Sequence, residues 1–439
     1  MTRSRQRTTF WVAKAIAVLA ACAAIVGCAA TATPTGPVEL PDATLQAAPT
    51  LEAIPSATTQ SARPTTTPVL QRPTPEPFVD QRFAGCSGTG TVQFAQSPMR
   101  VEDVKHLLPY GTLAGAHVTP IDHMYFEPAD RSLGRDVYEV RAIQDGVIHS
   151  LQPRDISVDT GEPNEREWRM EIAHTCTFVS YFDLITSLDP ALEDEWNETQ
   201  GGRTGRWSGI PVKAGQLVGL IGGQTLDFGV YDYEVVLPGF VVPEHYERES
   251  WKIHTVDPFP YFPQDVRDTL LAITLRQAEP RAGKIDHDVD GKLVGNWFEQ
   301  GTNGYAGAHP QQYWNGHLAL VPDALDPTQW RFSIGDFDGQ AQQFGIRGNA
   351  PEPSDISVET GLVTYELADY EYYVADDPSR HGLMNAVPGD TVISTTGDRV
   401  RGVALVQMTG PRTVMVEVFP DKTAADVSGF TAAAKTYER

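Results

Sequence analysis

Two groups of residues in this 439-residue chain could do chemistry. The first is Asp286-His287-Asp288-Val289-Asp290-Gly291, which sets carboxylates at positions one, three and five ahead of a turn glycine. That is the front half of a calcium loop. Position twelve is Trp297 rather than a bidentate glutamate, and Glu299 comes two residues late. The segment therefore reads either as a partial calcium site on Asp286, Asp288 and Asp290 or as an ordinary acidic turn. The second group is scattered: His117 and Asp122 in GAHVTPIDH, His174 at the end of MEIAH, Asp183 after Tyr181-Phe182, and Thr225 and Asp227 in TLDF. Their meaning depends on the elements that would bring them together. Other chemical signatures are missing. The chain has no His-Glu-x-x-His helix, no Gly-x-Ser-x-Gly elbow and no Gly-x-x-x-x-Gly-Lys loop.

The N-terminus reads as targeting rather than fold. Residues 1–14 carry Arg3, Arg5, Arg7 and Lys14 and no acid, and residues 15–27 are small and apolar. A basic segment followed by a short apolar one is a secretory signal, too short to span a bilayer comfortably. It ends Ile25-Val26-Gly27-Cys28, which resembles the bacterial lipobox. The resemblance implies that Cys28 is lipidated and becomes the first mature residue, anchoring the chain outside the cytoplasm. Two or three acyl chains, at roughly 0.8 kcal/mol per buried methylene, give stable anchoring where one would not. An ordinary signal peptide or an uncleaved anchor are the other readings. Residues 29–78 hold ten prolines and thirteen Ser/Thr without hydrophobic period. Such a segment cannot bury enough apolar surface to offset its ordering entropy. We expect a tether over 28–82, spanning roughly 40 Å as a flexible coil and roughly 150 Å if fully extended.

After processing, Cys86 and Cys176 are the remaining cysteines. Outside the cytoplasm such a pair reads as a disulfide, the alternative being two buried thiols. From Val137 onward the pattern is short strands broken by Gly and Asp. Residues 138–143 alternate, Asp145-Gly146 turns, 169–182 is rich in β-formers, and 210–219 reads strand, turn, strand. Helical periodicity is scarce before residue 264, so the first domain, 83–265, is expected to be all-β. A short helix over 265–277 then opens a second region, 266–439. Its β-like runs lie near 292–299, 313–321, 329–334, 342–347, 360–374, 391–395 and 402–419, with turns at Asp338-Gly339 and Pro388-Gly389-Asp390. Seven short strands imply a sandwich or barrel. Gly295-Asn296-Trp297 resembles the start of a lipocalin, a single tripeptide.

The order of pieces over about 95–265 resembles the lysostaphin/LytM-type peptidoglycan metalloendopeptidases. His117 and Asp122 stand where that family has His-x-x-x-Asp. AIQDGVI (142–148) matches its Ala-x-x-x-Gly-x-Val strand, and VKAGQLVG (212–219) its Val-x-x-Gly-Gln turn. Tyr181-Phe182-Asp183-Leu184 occupies the Tyr-x-His-Leu slot, Thr225-Leu226-Asp227 the His-x-His slot, and Asp257-Pro258-Phe259-Pro260-Tyr261 the exit. The resemblance implies a LytM-like β-sheet domain, with zinc on His117, Asp122 and Asp227. It departs where the chemistry lies. Four residues separate His117 from Asp122, where the family has three. The second zinc histidine is Asp227, and the two catalytic histidines are Asp183 and Thr225. An aspartate can ligate zinc, but the added negative charge raises the pKa of bound water. Without either imidazole no neutral-pH proton shuttle is placed, unless His123 or His174 substitutes. The domain is therefore expected to be degenerate and non-catalytic, binding peptidoglycan or regulating a wall hydrolase. Two alternatives stay open: a zinc-dependent peptidoglycan endopeptidase with an altered ligand set, and a small-molecule carrier using a C-terminal barrel.

Charge narrows the partners. The chain carries 34 Lys+Arg against 57 Asp+Glu, a net −23. Removing residues 1–27 takes away four basic residues and no acid, which leaves −27. That balance argues against nucleic acid and other polyanions as partners.

Overall fold

The structure is a computed structural model that describes residue 83 and residues 85–156, 165–200 and 209–439. The signal segment, Cys28 and the tether lie outside the described residues. The described residues all fall in one compact unit. Among the described residues no helix is long and apolar enough to cross a membrane.

The first half is built on an antiparallel sheet of seven strands. In chain order these are β1 (Val104–Leu108), β2 (Met124–Pro128), β4 (Gly146–Asp155), β5 (Arg166–Ala173), β6 (Phe178–Ile185), β8 (Ile210–Val212) and β10 (Leu226–Asp232). Across the sheet they run β1-β2-β10-β6-β5-β4-β8. A smaller sheet of β3 (Tyr138–Arg141), β9 (Leu217–Ile221) and β7 (Ser187–Leu188) packs beside it. Period-two alternation sorts the faces. Phe126, Phe182 and Phe228 point into one core, with Phe228 5.5 Å from Phe126 and 5.7 Å from Phe182 between ring centres. Tyr125, Tyr181, Asp183 and Asp227 take the opposite face. Cys86 and Cys176 are disulfide-bonded, 90 residues apart with Cα atoms at 5.1 Å. No helical periodicity marks α1 (Pro190–Gln200), whose Trp196 ring sits edge-on to Trp168 at 5.2 Å. The helix expected over 265–277 is α2 (Gln264–Ala272), which stops five residues short of the expected end.

The second half is a closed antiparallel barrel of eight strands. They are β11 (Gly295–Glu299), β12 (His317–Pro322), β13 (Trp330–Phe337), β14 (Gln340–Ile346), β15 (Val363–Val374), β17 (Val392–Gly410), β18 (Thr413–Pro420) and β19 (Lys435–Glu438). Each pairs with the next, and β19 returns to β11, closing the ring. Closure leaves no barrel edge unpaired. The interior is a packed core: Trp297, Leu318, Leu320, Phe332, Tyr365, Met408 and Tyr437 are all buried. Of the seven expected runs, 391–395 and 402–419 divide β17 and join its second part to β18, whose hairpin turns at Pro411-Arg412, and none covers β19, because KTYE offers one apolar side chain among polar ones.

Gly295-Asn296-Trp297 has a packing explanation. Gly295 has φ +122°, and a Cβ there would fall 2.1 Å from Asp288 Oδ1. Asp288 accepts from Asn296 N at 2.7 Å, and the Arg439 guanidinium lies 3.9 Å over Trp297 while donating to Val294 O at 2.6 Å.

Contacts at several places join the halves. Gln343 of β14 exchanges two hydrogen bonds with Gly115 (3.0 and 2.9 Å), holding the loop that leads to Asp122. β15 and β17 extend beyond the barrel with β16 (Asp377–His381) as an arm. Its tip accepts from β1, His106 Nδ1 lying 3.1 Å from Ala386 O and Lys105 donating to Met384 O. Tyr305 and Phe298 from the barrel side join the first core beside Tyr246.

Candidate functional site

A pocket of about 420 Å³ opens over the polar face of the large sheet. Strand register builds its floor: Asp227 of β10 lies opposite Tyr125 of β2 on one side and Asp183 of β6 on the other. Arg169 of β5 and Arg154 of β4 continue the row. Gly229 of β10 lets the chain at Asp122 approach closely, since a Cβ there would meet Asp122 O at 3.2 Å. A 3-10 segment, Pro243–His254, contributes Glu249, Trp251 and Lys252 as one wall. Tyr305 and Tyr313, from the connection between β11 and β12, form the other.

The fold brings His117, Asp122, Asp183 and Asp227 to one pocket. Their pairings differ from those the sequence implied. Asp122 does not face His117. Its Oδ1 accepts from Lys252 Nζ at 2.7 Å and its Oδ2 from Trp251 Nε1 at 2.8 Å. His123 sits between two carboxylates, with Nδ1 3.6 Å from Asp122 Oδ1 and Nε2 3.2 Å from Asp227 Oδ2. His117 is exposed at the mouth. Asp183 is held by Arg154, by Tyr181 Oη at 2.9 Å and by the Leu184 amide at 2.8 Å. Thr225 donates to Phe126 O at 3.1 Å, and His174 lies between Asp145 O and Ser180 Oγ, each at 2.9 Å. Neither of those two lines the pocket.

The electrostatics follow from these pairs. Burial would raise the Asp122 carboxyl, but Lys252 and then His123 hold it well below the usual carboxylate range. Burial would lower His123, but Asp227 and Asp122 together lift it to about 9, so the imidazole is charged at neutral pH. Burial pushes Asp227 up, and His123 offsets this in part. Lys252 loses to burial and regains more from Asp122 and from Glu249 at 3.6 Å, so its pKa is raised.

As folded, this donor set does not fit zinc. Zinc needs deprotonated ligands at about 2.0–2.2 Å in tetrahedral array. Both oxygens of Asp122 are taken by the ammonium and the indole, and both nitrogens of His123 face carboxylates. Among the described residues no group of three or more His, Cys, Asp or Glu is arranged to hold a metal ion. The acidic turn is likewise dispersed. Asp286 accepts from Gly239 N at 2.9 Å, Asp288 from Asn296 N, and Asp290 pairs with Arg412 at 2.9 Å. Those carboxylates stitch the connection between the two halves and do not form an oxygen cage.

Sequence reasoning weighed His123 only as a substitute and missed Lys252, Trp251, Arg154, Arg169 and the two barrel-side tyrosines. Lys252 lies 130 residues from Asp122, in a segment of mixed charge with no motif to mark it.

No family model matches this chain, and no curated protein matches it. Among solved structures it is similar to Helicobacter pylori Csd3 from the hexagonal crystal, at 14% identity and a TM-score of 0.22. The match covers 41% of this chain and 37% of that one. At that level the likeness carries no argument.

Proposed function

We propose that this chain is a cell-envelope lipoprotein, held to the membrane through lipidated Cys28, whose LytM-like domain binds wall material or regulates a wall hydrolase without cutting. The single observation behind this reading is the Lys252 ammonium 2.7 Å from Asp122. A cation supplied by the chain sits against the carboxylate that the family resemblance assigns to a metal. The remaining acid–base groups are also paired: His123 with Asp122 and Asp227, Asp183 with Arg154. A general base needs an unprotonated site within reach of the proton it takes. A charged imidazole between two carboxylates offers none. The packed barrel interior does not favour the carrier alternative.

The test uses the mature chain with purified peptidoglycan sacculi. Co-sedimentation with sacculi and no release of soluble fragments, with or without added zinc, is the expected result. Zinc-dependent release that Asp122→Ala abolishes would overturn the non-catalytic reading. In cells, Cys28→Ser is expected to move the protein from the membrane fraction to the soluble one.

A further inference from the structure

We propose that the pocket over β10 is a saccharide site, reading a short neutral stretch of glycan rather than a peptide. This rests on the wall-binding reading above and names its ligand class. Three observations lead there.

The first is an unmet hydrogen bond. Asp227 Oδ1 is buried and has no hydrogen-bond partner, and His123 Nε2, 3.2 Å from Oδ2, makes no hydrogen bond either. Buried polar atoms are nearly always satisfied, so an orphan acceptor on a pocket floor points to a donor brought by a ligand. A hydroxyl or an amide N–H supplies one.

The second is charge balance. Lys252, His123 and Arg154 are each within ion-pair distance of Asp122, Asp227 and Asp183 respectively, and Arg169 lies 3.2 Å from Glu171. Glu249 shares Lys252 with Asp122 at 3.6 Å, so among the described residues each of these lining charges has an opposite charge within ion-pair distance. A ligand with a net charge would have to break an existing pair, and breaking buried pairs is costly. A neutral polyol has no such conflict.

The third is the shape and nature of the walls. Tyr125, Tyr181, Trp251, Tyr305 and Tyr313 line a space of about 420 Å³. That lies within the usual range of ligand sites, about 300–1,000 Å³. Aromatic side chains combine an apolar face with a polar tip, which suits a ring that has C–H faces and hydroxyl edges. The floor also disfavours a peptide. One way for an extended peptide to bind is by adding a strand to a free sheet edge. β2, β10 and β6 are each paired on both sides, so this floor offers no edge.

The experiment uses the mature full chain and two defined probes: the N-acetylglucosamine tetramer and the stem tripeptide L-Ala-γ-D-Glu-L-Lys. Binding is read by saturation-transfer NMR and by calorimetry. The tetramer is expected to bind and the tripeptide not to bind. Losing one hydrogen bond or one wall is worth about tenfold in affinity. Asp227→Asn and Tyr313→Ala are each expected to weaken the tetramer by about that factor. Tyr313 is a rim residue, so its variant tests the site even if Asp227→Asn folds poorly. Arg412→Ala, at a residue that does not line the pocket, is expected to bind like the parent. Tripeptide binding without tetramer binding overturns the assignment, as does tetramer binding that both variants leave unchanged. Sacculi retained without tetramer binding also removes the saccharide assignment while keeping the wall-binding reading. Tetramer binding without sacculus retention removes the wall reading and keeps the site.

Discussion

Substituting Lys252→Met tests whether the ammonium neutralises a buried carboxylate or merely lies beside it. Both side chains are more than nine-tenths buried, at 7% exposure for Lys252 and 8% for Asp122. Methionine keeps most of the stem volume and removes the charge. Asp122 would then retain the Trp251 indole and, at 3.6 Å, the His123 ring. Removing one partner of a buried pair costs about 3–5 kcal/mol, because the other charge is left uncompensated. The remaining charged imidazole places the expected loss near the lower end, about 3 kcal/mol. The double variant Lys252→Met/Asp122→Asn removes both charges, and neutral replacement of a buried pair is often close to break-even. It is therefore expected to recover about 2 kcal/mol of the loss. The assay is urea unfolding followed by tryptophan fluorescence, read as a midpoint shift at unchanged slope. The pH dependence has a definite sign. The folded pKa of Asp122 is depressed, so its stabilisation is present above the unfolded value of about 3.9 and fades as pH falls through the folded pKa. The gap between parent and Lys252→Met should accordingly be full from pH 7 down to about pH 4 and shrink only below it. A single variant within about 1 kcal/mol of the parent at pH 7, or a double variant no better than the single, would refute the argument.

Two further outcomes can be checked directly. His123 is raised to about 9 in the folded chain from an ordinary value near 6.5. Its contribution is thus complete below about pH 6.5 and lost as pH rises through 9. The His123→Gln variant should narrow the parent's loss of stability between pH 6.5 and 9.5, and imidazole NMR signals that titrate near 6.5 would contradict this. Opening the Cys86–Cys176 bridge, which closes a loop of 90 residues, should cost roughly 4–5 kcal/mol in the chain-entropy model. A Cys86→Ser/Cys176→Ser double variant with an unchanged urea midpoint would show that the bridge does not constrain the unfolded chain.

How far the sequence could be read depended on the range of the interactions. Strand alternation, Asp-Gly turns and the short helix after residue 264 are local, and the structure places them within a few residues of the expected positions. Asp338-Gly339 is one such turn: both residues adopt positive φ, at 55° and 82°, and join β13 to β14. The seventh and eighth barrel strands were harder, because β19 is recognisable only through its pairing with β11 and β18. The site divides in the same way. That His117, Asp122, Asp183 and Asp227 share a pocket was legible from the order of short motifs. What each one touches was not.

The partner of Asp122 shows why. A cation against a carboxylate can come from a metal, from a histidine next in sequence or from a lysine 130 residues away, and these alternatives leave similar marks on the Asp122 side of the chain. Deciding among them required the path of the segment Pro243–His254, which no periodicity predicts. The same long-range dependence reaches the second half of the chain. Tyr305 and Tyr313 complete the pocket wall, while Gln343 pins the loop before Asp122 through Gly115. A fragment ending near residue 265 would keep every residue that the sequence nominated for zinc, yet lose one wall and the loop's anchor. The barrel is therefore part of the site. Even the acidic turn at 286–290, first a candidate for calcium, serves this union, with Asp286 and Asp288 bonding Gly239 and Val241 on the approach to the Lys252 segment.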